Sequence, residues 1–114
     1  PDVDMQRIGR TTLEMLEDAM NAYANEDVEA CYAVADRDDE VDAMCEAASE
    51  LVVRDLIESD YLGEDEDDAE LESLMQDVSR LLLTIRDLER VGDHAVNIAA
   101  RTLYIAENDD ELLY

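Results

Sequence analysis

Four carboxylates occupy positions where the surrounding pattern calls for apolar side chains. Asp38 and Asp42 belong to one run of helical periodicity, Glu89 and Asp93 to another, and each pair is four residues apart. At about 100° per residue, Cys31, Ala35, Cys45, Val52 and Leu56 share one arc, with Asp38 and Asp42 near its centre. In the later run, Val78, Leu82, Ile85, Val96 and Leu103 form the stripe. Glu89 falls in its middle, Asp93 at its edge, and Asn97, one turn on, further out. An ionised carboxylate on an apolar seam is costly unless it is paired or ligates a metal, and facing pairs raise one another's pKa. Three arrangements relieve this: guanidinium partners, water at an open seam, or a divalent or trivalent cation held by oxygens from both helices. Arg37, Arg86 and Arg90 are near enough in sequence for the first. The pattern by itself leaves all three open.

Other chemistries find little support. A ferritin-like di-iron site needs Glu-x-x-His on facing helices, and the residue three before His94 is Val91. His94 lies roughly 140° around the helix from Glu89, so it is expected to face away from the same ion. Gly92 sits on the seam, where it would let a neighbouring helix or an ion come close. The run Glu64 to Asp68 lacks the spaced acids, central glycine and terminal glutamate of an EF-hand loop. Ser49, Ser59, Ser73 and Ser79 have no His/Asp partnership for nucleophilic catalysis, and no glycine-rich phosphate loop is present. Cys31 and Cys45 would lie ~21 Å apart on one helix, too far to pair, and read as small core residues of a reducing compartment.

The elements that must position these residues are helical. Glycine occurs three times and proline once, as Pro1, and nothing alternates like a strand. The first run is Met5, Ile8, Met15, Leu16, Ala19 and Tyr23, the second also takes in Val28, and the third begins at Leu71 and Leu74. The expected helices span residues 3–24, 26–59 and 69–107, with Asn25 capping the second. An acidic loop is expected over 60–68, and a polar tail from Glu107. The reading is all-α: an antiparallel three-helix bundle with two long helices, forming one domain over 1–114.

Composition bounds the rest. The chain has 114 residues, 33 acidic against 8 basic, and a net charge of −25; all the basic residues are Arg. Such a charge opposes nucleic-acid binding. No apolar run approaches the ~20 residues of a membrane span, and no signal-peptide pattern opens the chain. A cytoplasmic protein is expected. A carboxylate surface without ammonium groups self-repels in dilute buffer and is relieved by salt, so a halophilic, high-salt setting is expected too.

The segment from Leu88 to Ala99, LERVGDHAVNIA, resembles the signature of the PhoU family, and Asp38-Asp39-Glu40-Val41-Asp42 resembles the other half of its acidic motif. The resemblance runs from about Asp4 to Tyr104. It implies one three-helix repeat of a two-repeat protein, more like the second repeat, and a piece of a longer chain. It implies a regulator and not an enzyme, restraining phosphate uptake through the phosphate ABC transporter and, in many bacteria, linking it to a sensor histidine kinase. It also implies iron or zinc on the acidic motifs, with Asp38, Asp42, Glu89, Asp93 and Asn97 as the matching ligand positions; another divalent cation would suit the same oxygens. Where the family often has Glu, three residues after Asn97, this chain has Ala100. A homodimer or paired repeat is expected to complete the assembly. The rival readings are an oxygen-ligated metal bundle with a storage or redox role, and a PhoU-like module of another transport or transcription regulator.

Overall fold

The computed structural model describes residues 4–58 and 68–113, with the side chains of 109–113 left aside. Among them are three helices and no strand: α1, Met5–Asn25; α2, Val28–Glu58; and α3, Asp68–Leu113. Helix α1 begins where Asp4 accepts the backbone N–H of Arg7 at 2.9 Å, an N-cap of the usual acidic type. It ends in a left-handed residue, Glu26 (φ 48°), with the N–H of Asp27 donating to Ala22 O at 2.9 Å and that of Glu26 to Tyr23 O at 3.4 Å. This pair of bonds closes the helix and reverses the chain within two residues. Asp27, and not Asn25, then caps α2, accepting from the N–H of Ala30 at 3.1 Å. Asn25 is still helical, its amide donating to Asn21 O.

The seam departs from the simple wheel. Buried positions on α2 are Cys31, Val34, Val41, Cys45, Ala48 and Val52, and with Asp38 between them they alternate by three and four. On α3 the sequence Ile85, Leu88, Gly92, Ala95, Ala99, Thr102, Ala106 does the same, as do Met5, Ile8, Thr12, Met15, Ala19 and Ala22 on α1. This is the 3.5-residue repeat of supercoiled helices, which drifts from a 100° wheel. It explains why Ala35 is exposed while Val34 is buried. It also explains Tyr23, which stands 57% exposed while Ala22 takes the seam. Val28, at the very start of α2, is likewise outside the core.

The core is built from small groups. Alanine and cysteine fill much of it, and buried Thr12 and Thr102 satisfy their hydroxyls on the backbone carbonyls of Gly9 and Ile98. Such side chains let three helices approach closely with no Phe or Trp between them. Helix α2 runs antiparallel to α3: Cys45 Sγ lies 4.0 Å from Ile85 O, and Gly92 faces both Asp38 and Val41. Met15 of α1 completes that layer.

Two helix ends differ from expectation. The 46-residue α3 continues to Leu113, past the expected end at 107, because no Gly or Pro interrupts a segment rich in helix-forming Glu and Leu. It also starts at Asp68, inside the expected loop; the rest of that loop, 60–67, and the expected end of α2 at Ser59 lie outside the described residues. No described helix is long and apolar enough to cross a membrane.

Met15 is fully buried, so Met15→Ala should lower stability by about 2–4 kcal/mol. Leu13→Ala, at a site 54% exposed on the same helix, should change it by no more than about 0.5 kcal/mol. Urea denaturation of the two variants checks the assignment of the seam.

Candidate metal centre

Asp38 holds a seam position in α2, directly opposite Gly92 of α3. A Cβ on residue 92 would stand 3.2 Å from Asp38 Oδ1, so the glycine makes the room that this carboxylate occupies. Asp42 is one turn along α2, and Asp93 adjoins Gly92 on α3. One carboxylate oxygen from each of Asp38, Asp42 and Asp93 lies within 4.8 Å of the others. Asp38 Oδ1 is buried and has no hydrogen-bond partner. Among the described residues it is the only buried side-chain N or O atom so placed.

The electrostatics follow from that crowding. Burial, then the charges of Asp42 and Asp93, push the Asp38 carboxyl up to about 6. Burial and Asp93 also raise Asp42. Cys45, one turn beyond Asp42 on the seam, is pushed up to about 11 by burial and then by the charge of Glu89. It therefore stays a neutral thiol at ordinary pH in the metal-free chain, and it is not among the side chains whose ligand atoms converge, which are all carboxylates.

Guanidinium groups do not relieve the cluster. Arg37 turns to α1, bonding Glu14 at 2.9 Å and Asp18 at 3.5 Å. Arg86 and Arg90 are exposed and form no ion pair among the described residues. Glu89 is half-buried on the turn before Asp93; it lines an open groove with Asp42 and Cys45, and its charge reaches Asp38. It is not one of the three whose oxygens converge. Asn97 is exposed one turn beyond Asp93, and exposed His94 stands outside that group. Helical phase found Asp38 from sequence. It could not show that Arg37 turns to α1, because that depends on where the third helix packs.

Oxygen ligands of Mg, Mn, Fe, Zn or Ca lie about 2.0–2.6 Å from the ion, so two donors on one ion stand up to roughly 5 Å apart. The three carboxylates fit that span, and the unpartnered Oδ1 is the kind of atom a cation would satisfy.

A family model, the PhoU domain, matches residues 5–102. The chain belongs to the PhoU domain family. Among curated proteins, it is 31% identical over 108 residues to the phosphate-specific transport system accessory protein PhoU homolog of Pseudomonas aeruginosa, covering 95% of this chain and 40% of that one. It is 34% identical over 95 residues to PhoU homolog 1 of Thermotoga maritima, covering 83% and 36%. The PhoU protein of Escherichia coli is 29% identical over 108 residues, at 95% and 40% coverage. The chain thus spans about two fifths of the length of these curated PhoU relatives. No solved structure matches it.

The raised Asp38 carboxyl contributes stability that is present below its unfolded value of 3.8 and lost as pH climbs through about 6. In chelator-treated protein, Asp38→Asn should be more stable than the parent at pH 7 by about 1–3 kcal/mol, the gap closing toward pH 4. Urea midpoints across that range measure it; a gap that is constant with pH would mean that Asp38 titrates normally.

Proposed function

We propose that this chain is a PhoU-type regulatory module that restrains phosphate uptake by docking to the phosphate ABC transporter and passing its state to a sensor histidine kinase. The observation that carries the reading is the family match over residues 5–102, with relatives named as accessory proteins of phosphate-specific transport. In this reading the bundle is a rigid body in the cytoplasm, and recognition is a matter of its faces and not of bond-making. A second bundle of the same kind, in the same chain or as a homodimer, completes the assembly. The carboxylate surface suits a salt-rich setting, where screening removes the repulsion of a −25 charge.

The same reading gives the seam a cation, iron or zinc or another divalent ion, held by Asp38, Asp42 and Asp93. Glu89 adds negative charge beside them, and Asn97 stands ready one turn on. The support is the unpartnered Asp38 Oδ1 amid three converging carboxylates. The cation would neutralise the seam and tie α2 to α3, which is a structural or sensing role and not metal-assisted hydrolysis.

Deleting the gene in its host should raise phosphate uptake in phosphate-replete medium by several-fold, measured with radiolabelled phosphate. Unchanged uptake and unchanged phosphate-starvation gene expression would count against the regulatory reading. The cation has a separate test. Gly92→Ala places a methyl carbon against Asp38 Oδ1, and should weaken binding of added zinc or ferrous iron at least tenfold by calorimetry while the helix content stays intact. Binding that is unchanged in this variant would exclude Asp38 as a ligand.

A further inference from the structure

Helices α1 and α3 are both antiparallel to α2 and so run parallel to each other, and together they present a face that the carboxylate cluster does not use. One step around α1 from its buried seam, Gln6, Gly9, Leu13, Leu16, Met20 and Tyr23 recur at the same three-four spacing. None of them is charged, in a chain of 33 acids and 8 arginines. Leu13, Met20 and Tyr23 stand 54%, 57% and 57% exposed, a run of large apolar side chains left to water. The matching stripe on α3 is Thr84, Asp87, Val91, His94, Ile98, Arg101 and Ile105. Arg86 and Asp93 lie on the opposite flank, toward α2, where Arg86 lines a groove with Asp42 and Asp93 converges with Asp38 and Asp42. Two contacts set the level of one helix against the other. Met15 lies beside Gly92, and Met20, Tyr23 and Ala24 line a groove with Ile98 and Arg101. Glu17 is therefore level with His94.

We propose that this face docks a second copy of the chain, antiparallel, on a two-fold axis through His94. The face is self-complementary about that axis. Asp87 and Arg101 stand seven residues to either side of His94, so each meets the other on the second copy, and the ion pair is made twice. Val91 meets Ile98 of the second copy in the same way, and His94 lies beside its own counterpart. On α1 the same axis sets Leu13 against Met20 of the second copy, with Leu16 beside its own counterpart. The α3 stripe fixes the charge pairing and the α1 stripe fixes the apolar pairing, yet their two centres agree to within about one residue, or ~1.5 Å. That agreement, with the charge complementarity of Asp87 and Arg101, chooses a second copy as the occupant. Parallel pairing would instead set Asp87 against Asp87 and Arg101 against Arg101. Two bodies of charge −25 repel in dilute buffer, and Glu17 meets its own counterpart at the wet rim of the face, so salt strengthens the pairing. In dilute buffer the bundles stand apart, and Leu13 is simply an exposed side chain of a single bundle. The proposal rests on the regulatory reading only in taking a second bundle to complete the assembly; it adds which face is used and in which direction.

The test is sedimentation equilibrium of the chain in molar and in dilute potassium chloride, with a dimer expected in the first and a monomer in the second. In molar salt, Asp87→Arg and Arg101→Asp should each weaken the dimer at least tenfold, and the double swap D87R/R101D should restore most of the loss. Met20→Glu, at an exposed site, should abolish the dimer while the circular dichroism of the parent is kept. His94→Cys should give a disulfide-linked dimer on mild oxidation, and Ala100→Cys, on the flank away from the face, should not; the native Cys31 and Cys45 are buried. A monomer in molar salt, a dimer indifferent to Met20→Glu, a double swap no better than the single variants, or cross-linking through Ala100→Cys in place of His94→Cys would each overturn the proposal. Any of these results leaves the phosphate-uptake test of the regulatory reading standing.

Discussion

A carboxylate oxygen that is buried, charged at neutral pH and without a hydrogen-bond donor is a state that folded proteins avoid, because desolvating the ion costs several kcal/mol of stability. Asp38 is held in that state by the seam itself. Its position falls on the three-four repeat that every neighbouring seam residue obeys, so the side chain cannot leave without unwinding α2. Gly92 gives it room, and Asp42 and Asp93 crowd it with like charge. The rest of the centre follows from this one arrangement: the raised pKa of Asp38 and Asp42, the neutral thiol of Cys45, and the convergence of oxygens from two helices.

The bundle tolerates the arrangement because of what surrounds it. Small residues on all three helices bring backbones close and keep the carboxylates near one another. Cross-helix pairing of charge is directed elsewhere, with Arg37 of α2 clamped to Glu14 and Asp18 of α1. Any compensation for Asp38 must then come from solvent or from a bound cation. The distribution of arginine points the same way. Three of the eight, Arg86, Arg90 and Arg101, are exposed on α3 and form no ion pair among the described residues.

Much of this was legible in the sequence, and the reasons are physical. Helical periodicity over long stretches and two carboxylate pairs at i, i+4 placed Asp38, Asp42, Glu89 and Gly92 on facing seams, with Asp93 only at the edge of its stripe, whereas it is Asp93 and not Glu89 whose oxygen converges with those of Asp38 and Asp42. What the wheel blurred was fine phase. Along helices of this length a 100° repeat drifts from the true 3.5-residue seam, so the wheel turns Ala35 of α2 and Tyr23 of α1 inward where Val34 and Ala22 hold the seam. The capping of α2 by Asp27 was hidden for a different reason: Asn25 and Asp27 are both good caps, and the choice rests on Glu26 adopting a left-handed conformation. The pairing of Arg37 depended on which side α1 packs, which no local pattern encodes. Membership of the PhoU family was carried by the Leu88–Ala99 segment, whose residues make up one wall of the site.

Elemental analysis of protein purified at high salt without chelator, beside Asp38→Asn and Asp93→Asn variants, tests the central claim most directly. The account predicts a cation bound in stoichiometric amount by the parent and lost from both variants. Metal-free, folded parent protein, with a melting temperature indifferent to added iron, zinc, manganese and magnesium, would contradict it and leave Asp38 neutralised by protonation or water alone.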